Sequence, residues 1–222
     1  MQEVPKDETA NDGRVLLINK PYEWTSFDAV NKLRYKLKMK KIGHAGTLDP
    51  LATGLLIICT GKMTKRIEEF MGMEKEYTGT FVLGQTTPSH DLETEISEPQ
   101  DITSLTEEAI HQATKQFTGK ISQMPPVHSA IRVGGKRAYQ FARKGKEVEL
   151  QPRDVEVSVF EITRIHLPAV DFRIVCSKGT YIRSLARDYG NALGTGAYMS
   201  KLCRTRIGNY LLTDAVSPED VT

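Results

Sequence analysis

Residues 43–60 read GHAGTLDPLATGLLIICT, a stretch in which three glycines, one proline and one acid, Asp49, run directly into the wholly apolar pentad Leu55 to Cys59. The pentad reads as a buried strand, and it is far too short to cross a bilayer. The residues before it bend the backbone into that strand. An aspartate ahead of proline is an ordinary turn residue, but its surroundings point further. Gly43, Gly46 and Gly54 remove side chains, so that another molecule's backbone or ring could approach closely. Leu48, Pro50 and Leu51 supply an apolar wall that would desolvate the carboxylate, and an acid in such a place needs a cationic partner or it takes up a proton.

Working outward, Arg14 to Ile18 reads as a short buried strand stopped by Pro21. TSFDAVNKLRYKLK offers Thr25 or Ser26 as N-cap and puts Phe27, Val30, Leu33 and Leu37 at helical spacing. MTKRIEEFMG reads as a short helix ending at Gly72, and EYTGTFVLG as a strand. SLTEEAIHQATKQFTG is a helix with Ser104 or Thr106 as cap and Gly119 as stop. The segment from Ile121 to Arg153 contains MPP and a Gly134-Gly135 hairpin signal, and reads as a protruding basic arm with a short helix. VEVSVFEITRIHL and VDFRIVCS alternate as strands, TYIRSLARDYGNALG is a helix closed by Gly194, and AYMSKLCRTRIGNYLL finishes the sheet. Strands and helices in no strict βαβ order predict an α+β fold, with helices flanking a mixed, mostly antiparallel central sheet.

The whole chain has 222 residues, enough for one domain with a substantial core, placed at 13–222 with the arm at 121–153 inside it. Residues 1–12 carry four acids and one lysine with no apolar run, so they read as a flexible acidic tail and not a signal peptide, and a cytoplasmic location is expected. Cys59, Cys176 and Cys203 lack CxxC spacing, and the five histidines lack ligand spacing, so three buried reduced thiols and no metal are expected. Net charge is +2, but unevenly spread. Residues 32–41 hold six positive charges and no negative one, residues 132–153 seven basic against two acidic side chains, and residues 91–108 seven acids with no Lys or Arg. Two basic segments apart from an acidic one suit a phosphate-tracking face. No glycine-rich phosphate loop is present, and no second carboxylate accompanies Asp49 in the sequence as glycoside hydrolysis would require. Tyr181 and Arg183, after the Gly179 turn, and Tyr77 in a strand are candidate partners: a guanidinium can hold a carboxylate ionised, and a tyrosine can stack on a base.

INKPYEWTSFDAV, GHAGTLDPLATGLLIICTGKMTK, KEYTGTFVLGQTT, QMPPVHSAIRVGGKRAYQFARKGKEVEL and VCSKGTYIRSLARDYG resemble, in this order, the successive motifs of the TruB family of tRNA pseudouridine synthases. The resemblance runs from about Val15 to the terminal SPEDV. It implies the pseudouridine synthase fold and isomerisation of uridine 55 in the TΨC loop of tRNA. It further implies base flipping, a nucleophilic aspartate and neither metal nor organic cofactor. On the motif positions, it implies that Asp49 is the catalytic aspartate, that Tyr77 stacks on the target base and takes the C5 proton, and that Arg183 pairs with the aspartate. Tyr181 belongs to the same pocket, His44 helps to hold the flipped nucleotides, Leu202 is an apolar wall, and Lys20 and Asp91 match further motif positions. The basic arm is similar to the family's loop that closes on RNA, with Arg132, Lys136, Arg137, Arg143, Lys144 and Lys146 toward phosphates. The expected partner is the tRNA TΨC stem-loop, met by a monomer without guide RNA or membrane. Two positions depart from the family pattern, Ala45 for a common threonine and Pro88 for an acid. The chain ends where many relatives continue into a PUA domain, so none is expected.

Overall fold

Thr25 decides where the first helix starts. Its side chain accepts from Asp28 N, Asp28 reaches back to the Thr25 backbone N–H at 2.8 Å, and this capping box satisfies donors that the helix end would otherwise leave open. The structure is a computed structural model, and it describes residues 13–129, 132–133, 136–138, 141 and 149–222. The chain divides into two compact units, one formed by residues up to Lys75 with Cys203–Thr222, the other by Glu76–Leu202.

In the first unit, β1 (Val15–Lys20) lies antiparallel to β3 (Thr53–Thr60), from Val15 opposite Cys59 to Lys20 opposite Gly54. β1 thus fills one edge of β3 almost end to end. The other edge is shared by β2 (Ile42–His44), antiparallel, and by the end of β10 (Ala197–Ile207), where Cys203 and Arg204 run parallel to Thr53 and Gly54. β10 then turns into β11 (Tyr210–Leu211). The apolar pentad is explained by its two faces. Leu56 and Ile58 pack with Ile18, Val221 and the Ala29, Val30 and Leu33 side of α1 (Ser26–Lys36), whereas Leu55, Ile57 and Cys59 pack with Ala45, Phe70 and Ile207. Where a single helix is expected after β3, Gly61–Arg66 forms a 3-10 turn and only Ile67–Gly72 is α-helical, as α2.

The second unit orders its strands β10, β4 (Lys75–Leu83), β9 (Ala169–Cys176), β8 (Arg153–His166) and β5 (Gly119–Gln123). β8 and β9 form an antiparallel hairpin, and β5 pairs antiparallel with β8 from Gly119 opposite Val157 to Gln123 opposite Arg153. Helix α3 (Glu107–Ala113) is capped by Thr106, and α4 (Ile182–Ala192) is followed by Gly194 at φ +71°. An aromatic core binds these layers. Phe81 and Phe172 lie 4.1 Å apart and Phe160 and Tyr189 5.3 Å apart between ring centres, and the Tyr189 hydroxyl donates to the Ile110 carbonyl at 2.8 Å. The parallel ladder with β3 among antiparallel ones makes an α+β fold with mixed, mostly antiparallel pairing, as the sequence predicts.

Two expectations need correction. Both ends of the expected arm are sheet, because Ile121–Gln123 and Arg153 belong to the β5–β8 ladder. The hairpin signal is met by β6 (Arg132–Val133) and β7 (Lys136–Arg137), which pair antiparallel. Cys59 and Cys176 are buried free thiols, but Cys203 is only half-buried, facing the chain where β10 meets Gly54.

Gly54 sits at φ +103°, and a Cβ there would lie 2.4 Å from the Arg204 carbonyl oxygen, whereas Gly194 at φ +71° has open space around it. Gly54→Ala should therefore cost about 3 kcal/mol or more, combining left-handed strain with a backbone clash, and Gly194→Ala only about 1 kcal/mol. Urea unfolding of the two variants checks the difference, and equal costs would contradict the packing of β10 on β3.

Candidate active site

In the first unit the site is a turn that the chain holds from three directions. Asp49 is half-buried between β2 and β3, and the Ala52 N–H closes the turn on the Asp49 carbonyl at 3.1 Å. From the end of β1, the fully buried Lys20 ammonium donates to the carbonyls of Pro21 at 2.9 Å, Trp24 at 2.5 Å and Pro50 at 3.2 Å. From the first turn of α1, the Ser26 hydroxyl accepts the Leu48 N–H at 2.8 Å and donates to the Leu48 carbonyl at 3.2 Å. From β10, the buried Arg204 guanidinium donates to Leu55 O at 2.8 Å, to Gly46 O at 3.3 Å and to Thr47 O at 3.5 Å. Peptide groups on both sides of Asp49 thereby find partners within the chain.

Lys20 carries the electrostatic cost. Burial pulls its pKa down to about 8, the nearby Asp49 carboxylate works against that fall, Arg204 adds to it, and Asp28 opposes it more weakly. His44 ends β2, half-buried, opposite Ile58. The glycines act differently from the expectation. A side chain at Gly43 would meet Ile67 Cδ1 at 3.0 Å and one at Gly54 would meet β10, so both positions make room for the chain itself and not for a visitor. Gly46, at φ +95°, is needed for its backbone conformation.

In the second unit, Arg183 lies in the first turn of α4 with only 4% of its side chain exposed. It donates to the carbonyls of His128 at 2.9 Å and Ser89 at 3.3 Å, and its Nε stands 3.5 Å from Asp91 Oδ2. Asp91 is 2% exposed and shapes its own loop. Its other carboxylate oxygen accepts the Glu93 N–H at 3.0 Å, and its carbonyl accepts the hydroxyls of Thr87 at 2.6 Å and Ser89 at 3.2 Å. Pro88 sits within this turn, where His90 takes φ +62°. Burial and the charges of Arg187 and Arg183 push the His90 imidazole down to about 4, so it is neutral at neutral pH. Tyr181 is the N-cap residue of α4. Its N–H donates to Gln123 Oε1 at 2.8 Å, and its carbonyl accepts from Gln123 Nε2 at 3.1 Å, so one side-chain amide fixes the whole peptide edge. Tyr77 on β4 and Leu202 on β10 are both buried. Of the arm residues, Arg132, Lys136 and Arg137 lie on the short paired strands, and Arg143, Lys144 and Lys146 lie outside the described residues.

Sequence reasoning missed Ser26, Gln123 and Arg204. The only hint of Arg204 is a basic residue on a strand whose neighbours Leu202 and Ile207 are apolar. Among the described residues no helix is long and apolar enough to cross a membrane, and no group of three or more His, Cys, Asp or Glu could hold a metal ion.

Comparison with known proteins decides the lineage. Residues 34–182 match the TruB family pseudouridylate synthase N-terminal domain, and residues 183–222 match the tRNA pseudouridylate synthase B C-terminal domain. The chain belongs to the TruB family. It is 56% identical over 212 residues to the tRNA pseudouridine synthase B of Flavobacterium johnsoniae, covering 92% of this chain and 93% of the relative. With the corresponding protein of Chlorobaculum tepidum it shares 48% over 217 residues, covering 96% and 90%. Among solved structures it resembles a chain of a Cbf5-Nop10-Gar1 complex, with TM-score 0.69 and 32% identity over 91% of this chain. It also resembles a chain of an H/ACA RNP bound to a substrate RNA containing 2'-deoxyuridine, with TM-score 0.71 and 28% identity over 98% of this chain. It spans about half the length of those two chains, 50% and 54%.

In this TruB-family chain, Lys20 and Asp91 thus have a visible task, the support of the Asp49 turn and of Arg183. The Lys20 pKa of about 8 lies below its ordinary 10.5, so the unfolded chain holds the proton more tightly. The penalty is full below pH 8 and is relieved as pH rises toward 10.5. The stability of the protein relative to its Lys20→Met variant should therefore grow by on the order of 2 kcal/mol between about pH 7.5 and 10, measured by urea unfolding at each pH. A difference that shrinks with pH would show the ammonium to be stabilised overall.

Proposed function

We propose that this chain converts uridine 55 in the TΨC loop of tRNA to pseudouridine, with Asp49 as the nucleophile. The observation that carries the reading is the Asp49 turn itself, clamped by Lys20, Ser26 and Arg204 in a chain of the TruB family. Such rigid support suits a carboxylate that must meet a reacting atom within a few tenths of an ångström, and a mere surface turn has no need of it.

The reaction breaks the bond from ribose C1′ to N1, turns the base and joins C1′ to C5, with the C5 proton lost and N1 gaining one. No electrons enter or leave, so the chemistry needs no redox cofactor. The target base lies inside a folded loop and has to be everted at a cost of a few kcal/mol, of which stacking on Tyr77 returns about 1–3 kcal/mol. Tyr77 then takes the C5 proton, and Arg183 serves as the cation for the aspartate. His44, Tyr181 and Leu202 hold the everted nucleotide, and the basic residues of the arm follow the phosphates. The chain acts alone, as a monomer without guide RNA.

Asp49→Asn should lower pseudouridine formation at position 55 of an unmodified tRNA transcript by about a thousandfold or more while leaving tRNA binding intact. Surviving turnover would remove Asp49 from the nucleophile's role. Tyr77→Phe keeps a stacking ring and loses the hydroxyl, so it should reduce kcat by about 100-fold or more with little change in KM. Activity that appeared only with an added guide RNA would overturn the reading of a chain that acts alone.

A further inference from the structure

The first helix carries a feature that the site does not use. Two exposed aromatic side chains stand among cations on the flank of α1 that the core leaves open, with Tyr35 88% exposed and Phe27 57%. Positions 27, 31 and 34 follow helical spacing along this flank. The Arg34 guanidinium lies over the Phe27 ring, 5.7 Å from its centre, and is steadied by a 2.6 Å hydrogen bond to Asn31. Tyr35 stands beside them, and Lys38 and Lys40, both exposed, continue the positive charge past the helix end. The other flank is already engaged: Lys32 pairs with Glu219 at 2.8 Å, and Lys36 donates to the Glu219 carbonyl.

We infer that this flank is an RNA-binding surface, on which Tyr35 stacks an unpaired base while Arg34, Lys38 and Lys40 meet phosphates. The inference rests on the proposed tRNA substrate and extends it to a second contact. Stacking faces interleaved with cations are what single-stranded or looped RNA requires, and a protein-binding patch would be depleted in lysine at its centre. Location supports it too. Ser26, the first residue of α1, is bonded to Leu48 beside Asp49, and the helix of 11 residues leads away from there over about 16 Å. An RNA that presents a nucleotide to Asp49 therefore has its neighbouring segment within reach of this flank.

The test is the dissociation constant of the full chain for an unmodified tRNA transcript, measured by filter binding at several salt concentrations. Both rings are exposed, so their replacement leaves the core untouched. Phe27→Ala with Tyr35→Ala should weaken binding about five- to twentyfold, and Tyr35→Phe alone should bind like the wild type because it keeps the stacking face. Lys38→Ala with Lys40→Ala should flatten the slope of log K against log salt by roughly 1.5. If the wild type makes pseudouridine and the double aromatic variant binds as tightly as it does, the inference fails while the proposed function stands. If the wild type neither binds nor modifies tRNA, both fail.

Discussion

Buried cations against backbone carbonyls hold the centre of the first unit. A turn that passes from β2 into a core strand leaves several of its carbonyls without partners in the strand ladders. Lys20 and Arg204 supply the donors, at the cost of placing two like charges out of water near each other. Burial, and more weakly Arg204, pull the Lys20 pKa down, in keeping with that cost. Asp49 is the second largest influence on it and Asp28 a smaller one, both favourable. The acid is therefore part of what makes its own support tolerable, and the chemistry of the turn and its stability are coupled through one charge.

The second unit solves the same problem with different groups. Arg183 joins the carbonyls of Ser89 and His128, in two irregular segments distant in sequence, and Asp91 balances its charge at 3.5 Å. Gln123, at the end of β5, does for Tyr181 what a neighbouring strand would do, offering an acceptor and a donor to one residue's N–H and C=O. Each device fixes a loop end onto a regular element, so residues that the chain leaves in loops acquire the rigidity of the sheet or helix behind them.

What was legible in the sequence follows from the range of the forces involved. The apolar pentad and the Gly194 stop are local in origin and legible from spacing alone, and spacing narrows the first cap to Thr25 or Ser26, of which the structure uses Thr25. Composition cannot display the role of Gly54, because it shows that a side chain is missing but not what fills the space, and here β10 fills it from about 150 residues away in sequence. Arg204 and Gln123 escaped notice for the same reason: each contacts backbone, which carries no sequence signature. Asp49 stood out by its setting, whereas Lys20 and Asp91 were found only through their motif positions. Their work is to hold carbonyls and shape turns, and a pattern of residue types cannot display it.

The coupling of Lys20 to Asp49 bears on the proposed reaction beyond holding the turn. A carboxylate that attacks the nucleotide becomes an ester and loses its charge, so the attraction that offsets the burial of Lys20 is withdrawn while the covalent bond exists. The ammonium is then less well accommodated than before. In the proposed reaction, release of the aspartate would restore the attraction and so favour the departure of the carboxylate. If Asp49 is the nucleophile, as proposed, it has to leave as readily as it attacks, and the buried Lys20, held by three carbonyls, would favour the leaving step by the same charge that sustains the turn.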